Sequence, residues 1–162
     1  MPDAFRTQLL DMVEYTDYVA TFADPTRTIV DIDNYTYSID GEVLAAPITA
    51  TAGQTFLTQM EGDCDFVCFY LSGFARAAGQ TNLTVNPALM VQIADQTTGR
   101  AWFQGPAPMP MIAGQGGFPY LLPGPKVIPA RSSLETSAIS RQVQSFTGFY
   151  FCFHGSRIWY GG

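Results

Sequence analysis

The sequence predicts an all-β protein: a β-sandwich, jelly-roll-like, with an N-terminal arm or short helix and one long Pro/Gly-rich loop. Three observations predict it. From Arg27 onward, short runs of β-branched and aromatic residues follow a period of two. Turn signals separate these runs, and helical spacing is confined to the first two dozen residues. About eight to ten short strands in a chain of 162 residues suit a sandwich or barrel. The length is that of one domain, able to bury a core without covalent staples. No repeat of fixed period is visible, which disfavours a solenoid or propeller.

The elements follow in chain order. Phe5, Leu9, Met12 and Val13 fall at i, i+4, i+7 and i+8, with Asp3 as N-cap, so a helix or arm occupies residues 1–26 and is broken at Asp24-Pro25. The sandwich then takes residues 27–162. Thr28–Ile32 and Tyr35–Ile39 are expected as strands, with Asp40-Gly41 turning the second into Val43-Leu44 as a hairpin. Ile48–Ala50 and Thr55–Gln59 are two further short candidates. Asp65–Leu71 is apolar on both faces and is expected as a central strand lying between layers. Ala88–Ile93 follows, closed by the turn-like Asp95-Gln96-Thr97-Thr98-Gly99 before Arg100–Phe103.

Residues 104–129 form a loop insertion. They hold seven prolines and five glycines, so regular sheet is not expected there. Met109, Met111, Ile112, Phe118, Tyr120, Leu121 and Leu122 make the segment too apolar for a solvated linker. Order on a surface, or a fold-back over the domain's own core, are the two readings. Strands resume at Leu134–Ile139 and Phe146–Phe153, and His154-Gly155-Ser156 is expected to turn the chain into Arg157–Tyr160.

Charge is sparse and segregated. Charged residues make up 14% of the chain, against about 25% for an ordinary soluble domain, while 47% are hydrophobic and 14% aromatic. Residues 1–65 hold twelve acids and two arginines, and residues 66–162 hold two acids and six bases, net −10 and +4. Copies packed side by side could set one surface against the other. A pI near 4.4 and the single lysine argue against nucleic acid as a partner. No run approaches the roughly 20 apolar residues that span a bilayer, and the N-terminus lacks signal-peptide regions, so no membrane partner is expected.

Catalytic chemistry finds little support. The one histidine, His154, has Ser132, Ser133 and Ser156 as candidate nucleophiles, but no Gly-x-Ser-x-Gly elbow frames any of them. Cys152 shares a strand face with His154, yet its aromatic neighbours would raise its thiol pKa rather than activate it. Three cysteines, Cys64, Cys68 and Cys152, cannot all pair within the chain, and reduced buried thiols are expected. The Cys64/Cys68 spacing does not suit tetrahedral zinc. Asp31-Ile32-Asp33-Asn34 and Glu61-Gly62-Asp63-Cys64-Asp65 follow no EF-hand pattern and are expected as solvated turns. The glycines at 114, 116 and 117 lack a phosphate loop's lysine. No catalytic residue, metal or cofactor is therefore assigned. Trp102, Trp159 and Tyr160 could form a sugar-stacking platform, which keeps a carbohydrate- or receptor-binding module as a second class, with packing the preferred use.

The arrangement of features from Phe66 onward resembles virion structural proteins of tailed bacteriophages. It rests on Asp65-Phe66-Val67, Val91–Arg100, the proline-spaced Pro106-Ala107-Pro108, Pro119–Pro123 and Val127-Ile128-Pro129, then Ser132-Ser133-Leu134 and the closing Phe151–Tyr160. The resemblance covers roughly 100 residues and is one of order rather than of a single motif. It implies a non-enzymatic β-sandwich subunit present in many copies in the virion, assembled in the host cytoplasm and bound to the major capsid protein or to neck and tail components. Capsid decoration is the first expectation and a neck or tail part the second. Composition agrees, because assembly interfaces lose charged residues and gain aromatics and methionine. A closed homo-oligomer such as a trimer is expected. Its interface is assigned to Trp102, Phe103, Met109, Met111, Phe118, Tyr120, Leu121 and Leu122, with Phe5 and Leu9 of the arm. On that reading, deleting residues 104–129 would leave the sandwich folded.

Overall fold

A computed structural model of the protein describes residues 3–84, 87–114 and 119–162, with side chains from residue 11 onward. The chain is an all-β sandwich of two antiparallel sheets. In order it forms α1 (Asp3–Ala20), β1 (Ile29–Gly41), β2 (Gln54–Gln59), β3 (Cys64–Ala77), β4 (Leu89–Asp95), β5 (Arg100–Ala101), β6 (Ala107–Pro108), the single turn α2 (Met109–Ile112), β7 (Tyr120–Ile128), β8 (Ser133–Ser140) and β9 (Phe146–Tyr160). The first sheet has the order β1-β9-β3-β7. The second has β2-β8-β4-β5, and β6 continues the β5 edge along β4. Nearly every connection therefore crosses between sheets, which leaves β1 and β2 at one open side of the sandwich and β5 and β7 at the other.

The core is built from alternation. Tyr37 and Ile39 of β1 and Phe149, Phe151 and Phe153 of β9 point inward with Phe66, Cys68 and Leu71 of β3. From the second sheet come Leu89, Val91, Ile93, Leu134 and Ala138. Phe56 stacks on Phe149 at 4.9 Å between ring centroids and Phe149 on Phe151 at 6.0 Å. Losing one such fully buried ring costs about 3–5 kcal/mol.

The alternation of β3 changes phase once. Before Phe69 the even residues Phe66 and Cys68 face the core, and after it the odd residues Leu71, Ala75 and Ala77 do, because a bulge lies between Cys68 and Tyr70. Val67 and Phe69 are thereby turned outward into a second cluster with Ile158, Tyr160 and Val19 of α1. The predicted central strand is apolar on both faces for this reason: its outer layer is the helix. Tyr15, Tyr18 and Phe22 all pack on the Phe69 ring, at 5.9–6.2 Å. The C-terminal half of the arm is thus docked on its own sheet rather than reaching away.

Several expected boundaries differ. The two strands of 28–39 are one strand, and the Asp40-Gly41 hairpin does not form. The long, phenylalanine-rich β9 pairs with β1 from Ile29 to Gly41, and this partner outcompetes a local turn. Gly41 serves close approach instead, since a Cβ there would sit 2.6 Å from the Phe149 carbonyl oxygen. His154-Gly155-Ser156 is likewise not a turn but the middle of the 15-residue β9. Ile48 forms only an isolated bridge to Phe146. The Asp95–Gly99 turn is present: the Asp95 carboxylate accepts from the Thr97 amide at 2.8 Å and the Thr98 hydroxyl at 3.0 Å, and Gly99 takes φ +68°.

Residues 104–129 are not the irregular loop expected. They contain β6, α2 and β7, and Met109, Ile112, Leu122 and Ile128 are buried in the main core. The prolines are tolerated because β7 is an edge strand. Its pairing with β3 skips from Leu121 to Lys126, so Pro123, Gly124 and Pro125 bow out where no ladder donor is needed. Deleting this stretch would remove core side chains, so the sandwich would not survive it, contrary to what the sequence leads one to expect.

Gly155 faces the β3 bulge so closely that an added Cβ would lie 1.9 Å from the Val67 carbonyl oxygen. Gly155→Ala is expected to destabilise the fold by at least about 1–3 kcal/mol, as over-packing does. Urea denaturation should show a lower midpoint with an unchanged m-value, and an unaltered midpoint would contradict the stated geometry.

Candidate functional site

The open side carrying β5 and β7 bears one group of exposed apolar side chains, besides others such as Met12, Val30, Val43, Leu57 and Val143 elsewhere on the surface. Tyr120 and Leu121 of β7 are 36% and 60% exposed, Val127 is 42% exposed, and Met111 of α2 is 68% exposed. Where β7 stops, Gly114 takes its place beside β3, donating to the Leu71 carbonyl at 3.0 Å and accepting from the Gly73 amide at 3.1 Å. One edge of the first sheet is thus bordered by α2 and β7 together. Next to it, Arg100, Trp102, Lys126, Val127 and Pro129 line a groove of about 290 Å³ between the two sheet edges.

The expected interface residues divide between core and surface. Met109 and Leu122 are core residues, 1% and 4% exposed, and offer nothing to a neighbour. A helical turn points Met109 inward against Gly73, where a Cβ would lie 2.3 Å from its methyl carbon. Trp102 and Phe103 are half-buried on the main cluster, Trp102 edge-on to Phe153 at 5.8 Å. Met111, Tyr120 and Leu121 stay at the surface. Phe118 lies outside the described residues, and Phe5 and Leu9 fall on the first part of α1, where side chains are not described.

The remaining aromatic candidates are used in packing. The guanidinium of Arg157 stacks over Tyr35 at 3.7 Å, donates from Nε to Asp33 at 3.1 Å and from Nη1 to Glu61 at 3.1 Å, and makes a second, shorter contact to Asp33. Trp159 donates its indole N–H to Asp33 at 3.0 Å. The Asp33 carboxyl is held below the usual range chiefly by its bonds to Arg157. Buried Tyr160 donates to Asp65 at 2.9 Å, and Arg27 lies over its ring. Asp33 and Asp65 are therefore strand residues, with register setting Asp33 opposite Arg157, while Gly62 and Asp63 form the exposed turn expected there and Glu61 flanks it.

A polar cluster that sequence reasoning missed lies on the outer face of the first sheet. The buried Ser72 hydroxyl meets His154 Nε2 at 2.7 Å, and Thr36 Oγ1 meets Nδ1 at 3.2 Å. Tyr15 bonds Ser156 at 2.7 Å, and Ser156 donates to Asn34 at 3.1 Å. Tyr15, Asn34, Thr36, Tyr70 and His154 border an open hollow of about 410 Å³. Ser72 and Thr36 could not have been found from spacing, since they flank His154 only through the pairings of β9 with β3 and β1. A Ser–His contact alone is an incomplete triad: the residue orienting the imidazole is a threonine hydroxyl, and Ser72 is 3% exposed. Burial raises the thiols of Cys64 to about 11 and of Cys68 to about 12, and it also raises that of Cys152, so all three stay protonated near neutrality. Among the described residues no three acids, histidines or cysteines converge as metal ligands, and no helix is long and apolar enough to cross a membrane.

Comparison with known proteins gives no match, either to a protein-family model or to a curated sequence.

Burial lowers the pKa of His154 from its usual 6.5, so the folded protein holds the ring neutral while the unfolded chain takes up a proton. Stability should therefore fall as pH drops below about 6.5 and go on falling until the folded-state pKa is passed. In His154→Asn this component should vanish from thermal melts recorded between pH 7 and pH 5, and an identical pH profile in both proteins would refute the assignment.

Proposed function

We propose that this chain is a non-enzymatic structural subunit of a tailed-phage virion, present in many copies and decorating or stabilising the capsid. The observation that carries the reading is the exposed apolar edge of Met111, Tyr120, Leu121 and Val127, bordered by the prolines of β7. Apolar side chains standing together on a sheet edge are a liability in a free monomer and an asset in an assembly. Prolines in β7 blunt runaway strand pairing while leaving the side chains free to dock.

Topology supports the same reading. Strand orders β1-β9-β3-β7 and β2-β8-β4-β5, with most connections crossing between sheets, support a jelly-roll reading, an architecture of viral capsid and lectin domains. Fold alone does not choose between those uses. The protonated cysteines and the incomplete Ser72–His154 pair favour a structural role over catalysis. The likeness of residues 66–160 to phage virion proteins favours the capsid, with a neck or tail position as the alternative site of attachment.

A glycan- or receptor-binding module is the second reading, carried by the hollow in which Tyr15 and Tyr70 flank Asn34, Thr36 and His154. Trp102 and Trp159 do not support it, since both are packed.

Met111→Asp is expected to leave the melting temperature nearly unchanged, because the side chain is exposed, and to weaken co-sedimentation with assembled particles. Undiminished particle binding by this variant would refute the edge as the attachment surface. Glycan binding lost on Tyr70→Ala would move the assignment to the second reading.

A further inference from the structure

The two open sides of the sandwich carry opposite charge. On the β5/β7 side, Arg100 and Lys126 border the same groove as Trp102 and Val127, and the acid in its lining, Asp95, is 9% exposed and bonded to Thr97 and Thr98 of its own turn. Both cations are exposed, and among the described residues neither lies within ion-pair distance of a carboxylate. On the far side, β1 is the terminal strand of its sheet and exposes Asp31 and Asp40, which likewise form no ion pair among the described residues. The helix adds to this side. Its Met12 borders a small hollow with Ile32 and Asn34 of β1, and Asp11 and Asp17 of the same helix are exposed.

The placement of these charges selects one way of packing. Two β1 edges meeting would gather Asp31 and Asp40 of both copies in one seam, and like charges gathered there are unfavourable. Two β5/β7 sides would oppose Arg100 and Lys126 in the same way. A β1 side against a β5/β7 side sets anions against cations and covers the apolar residues of both: Met12 and Val13, 69% and 51% exposed, and Leu121 and Val127. The missing amide donors of Pro123 and Pro125 keep β7 from offering a continuous ladder, so the contact is made by side chains in and around the groove.

We infer that a second copy of this chain docks its β1/α1 side on the β5/β7 side of the first, head to tail. Such a heterologous contact closes into a ring when its rotation allows. This inference rests on the multi-copy reading above and adds to it the surfaces and their polarity. The apolar edge then serves two neighbours: Leu121 and Val127 face the next copy, and Met111 lies towards the particle.

The test uses two charge-reversed forms of the full chain, Arg100→Glu with Lys126→Glu, and Asp31→Lys with Asp40→Lys. Mass in solution is followed by light scattering at low salt, and thermal melts confirm folding. Wild type should assemble. Each variant alone should need more than about tenfold higher concentration to do so, and an equimolar mixture should recover assembly with the two forms alternating. Variants that assemble like wild type, or a mixture of folded variants that stays dissociated, would overturn the head-to-tail contact. A wild-type chain that stays monomeric yet binds particles also overturns it while leaving the virion role standing. Monomers that bind no particle would remove both.

Discussion

The meeting of β3 and β9 at the Phe69 bulge is the constraint on which the rest of the structure depends. One extra residue in β3 reverses which side chains face inward, and only glycine at position 155 allows the backbones to come as close as they do. On one side of the bulge the sheet sends Phe66 and Cys68 to the core and Val67 and Phe69 to the helix; on the other it sends Leu71 and Ala75 inward. Without the phase change Leu71 and Ala75 would face outward with Val67 and Phe69 and be lost to the core. The helix seated on Val67 and Phe69 gives the two-layer sandwich a third, partial layer at one end.

The same phase change decides where polar groups fall. Beyond the bulge, the outer face of β3 carries Tyr70 and Ser72 opposite His154 and Cys152 of β9, and Arg76 opposite the Tyr150 region, where its guanidinium bonds the Tyr150 hydroxyl at 2.8 Å. This half of the face is left uncovered by the helix and is polar, whereas the half under the helix is apolar. Function is better sought at the edges than on this face. Its hydroxyl and imidazole groups satisfy one another, while exposed apolar and charged side chains lie along the open sides.

Edge management unites the fold with the proposed role. The strand order leaves two terminal strands in each sheet, and this chain treats them differently: acids on β1, prolines and a bowed segment on β7, and two-residue fragments at β5 and β6. Each device discourages indiscriminate strand addition. What survives is docking through side chains, which a particle subunit requires and an aggregating protein lacks.

The sequence by itself left the N-terminal segment open between a helix and an arm, and determined the all-β class, the sandwich, β2, β4, β8 and the Asp95 turn. Each is fixed by short-range alternation or by a local hydrogen-bonding side chain. It also showed that Asp65–Leu71 must lie between layers, without revealing that the outer layer is the chain's own helix. Tertiary structure alone decided the rest, because long-range pairing is invisible to local spacing. Proline and glycine argued against a strand at 120–128, yet an edge position beside β3 removes the need for the donors proline lacks. Asp40-Gly41 and His154-Gly155 have the composition of turns, yet β9 pairs through both, because a 15-residue partner rich in phenylalanine offers more burial than two local bends. Met109 and Leu122 were expected on a surface for the same reason: whether an apolar residue in a loop faces the core or a neighbour depends on how the strands around it close.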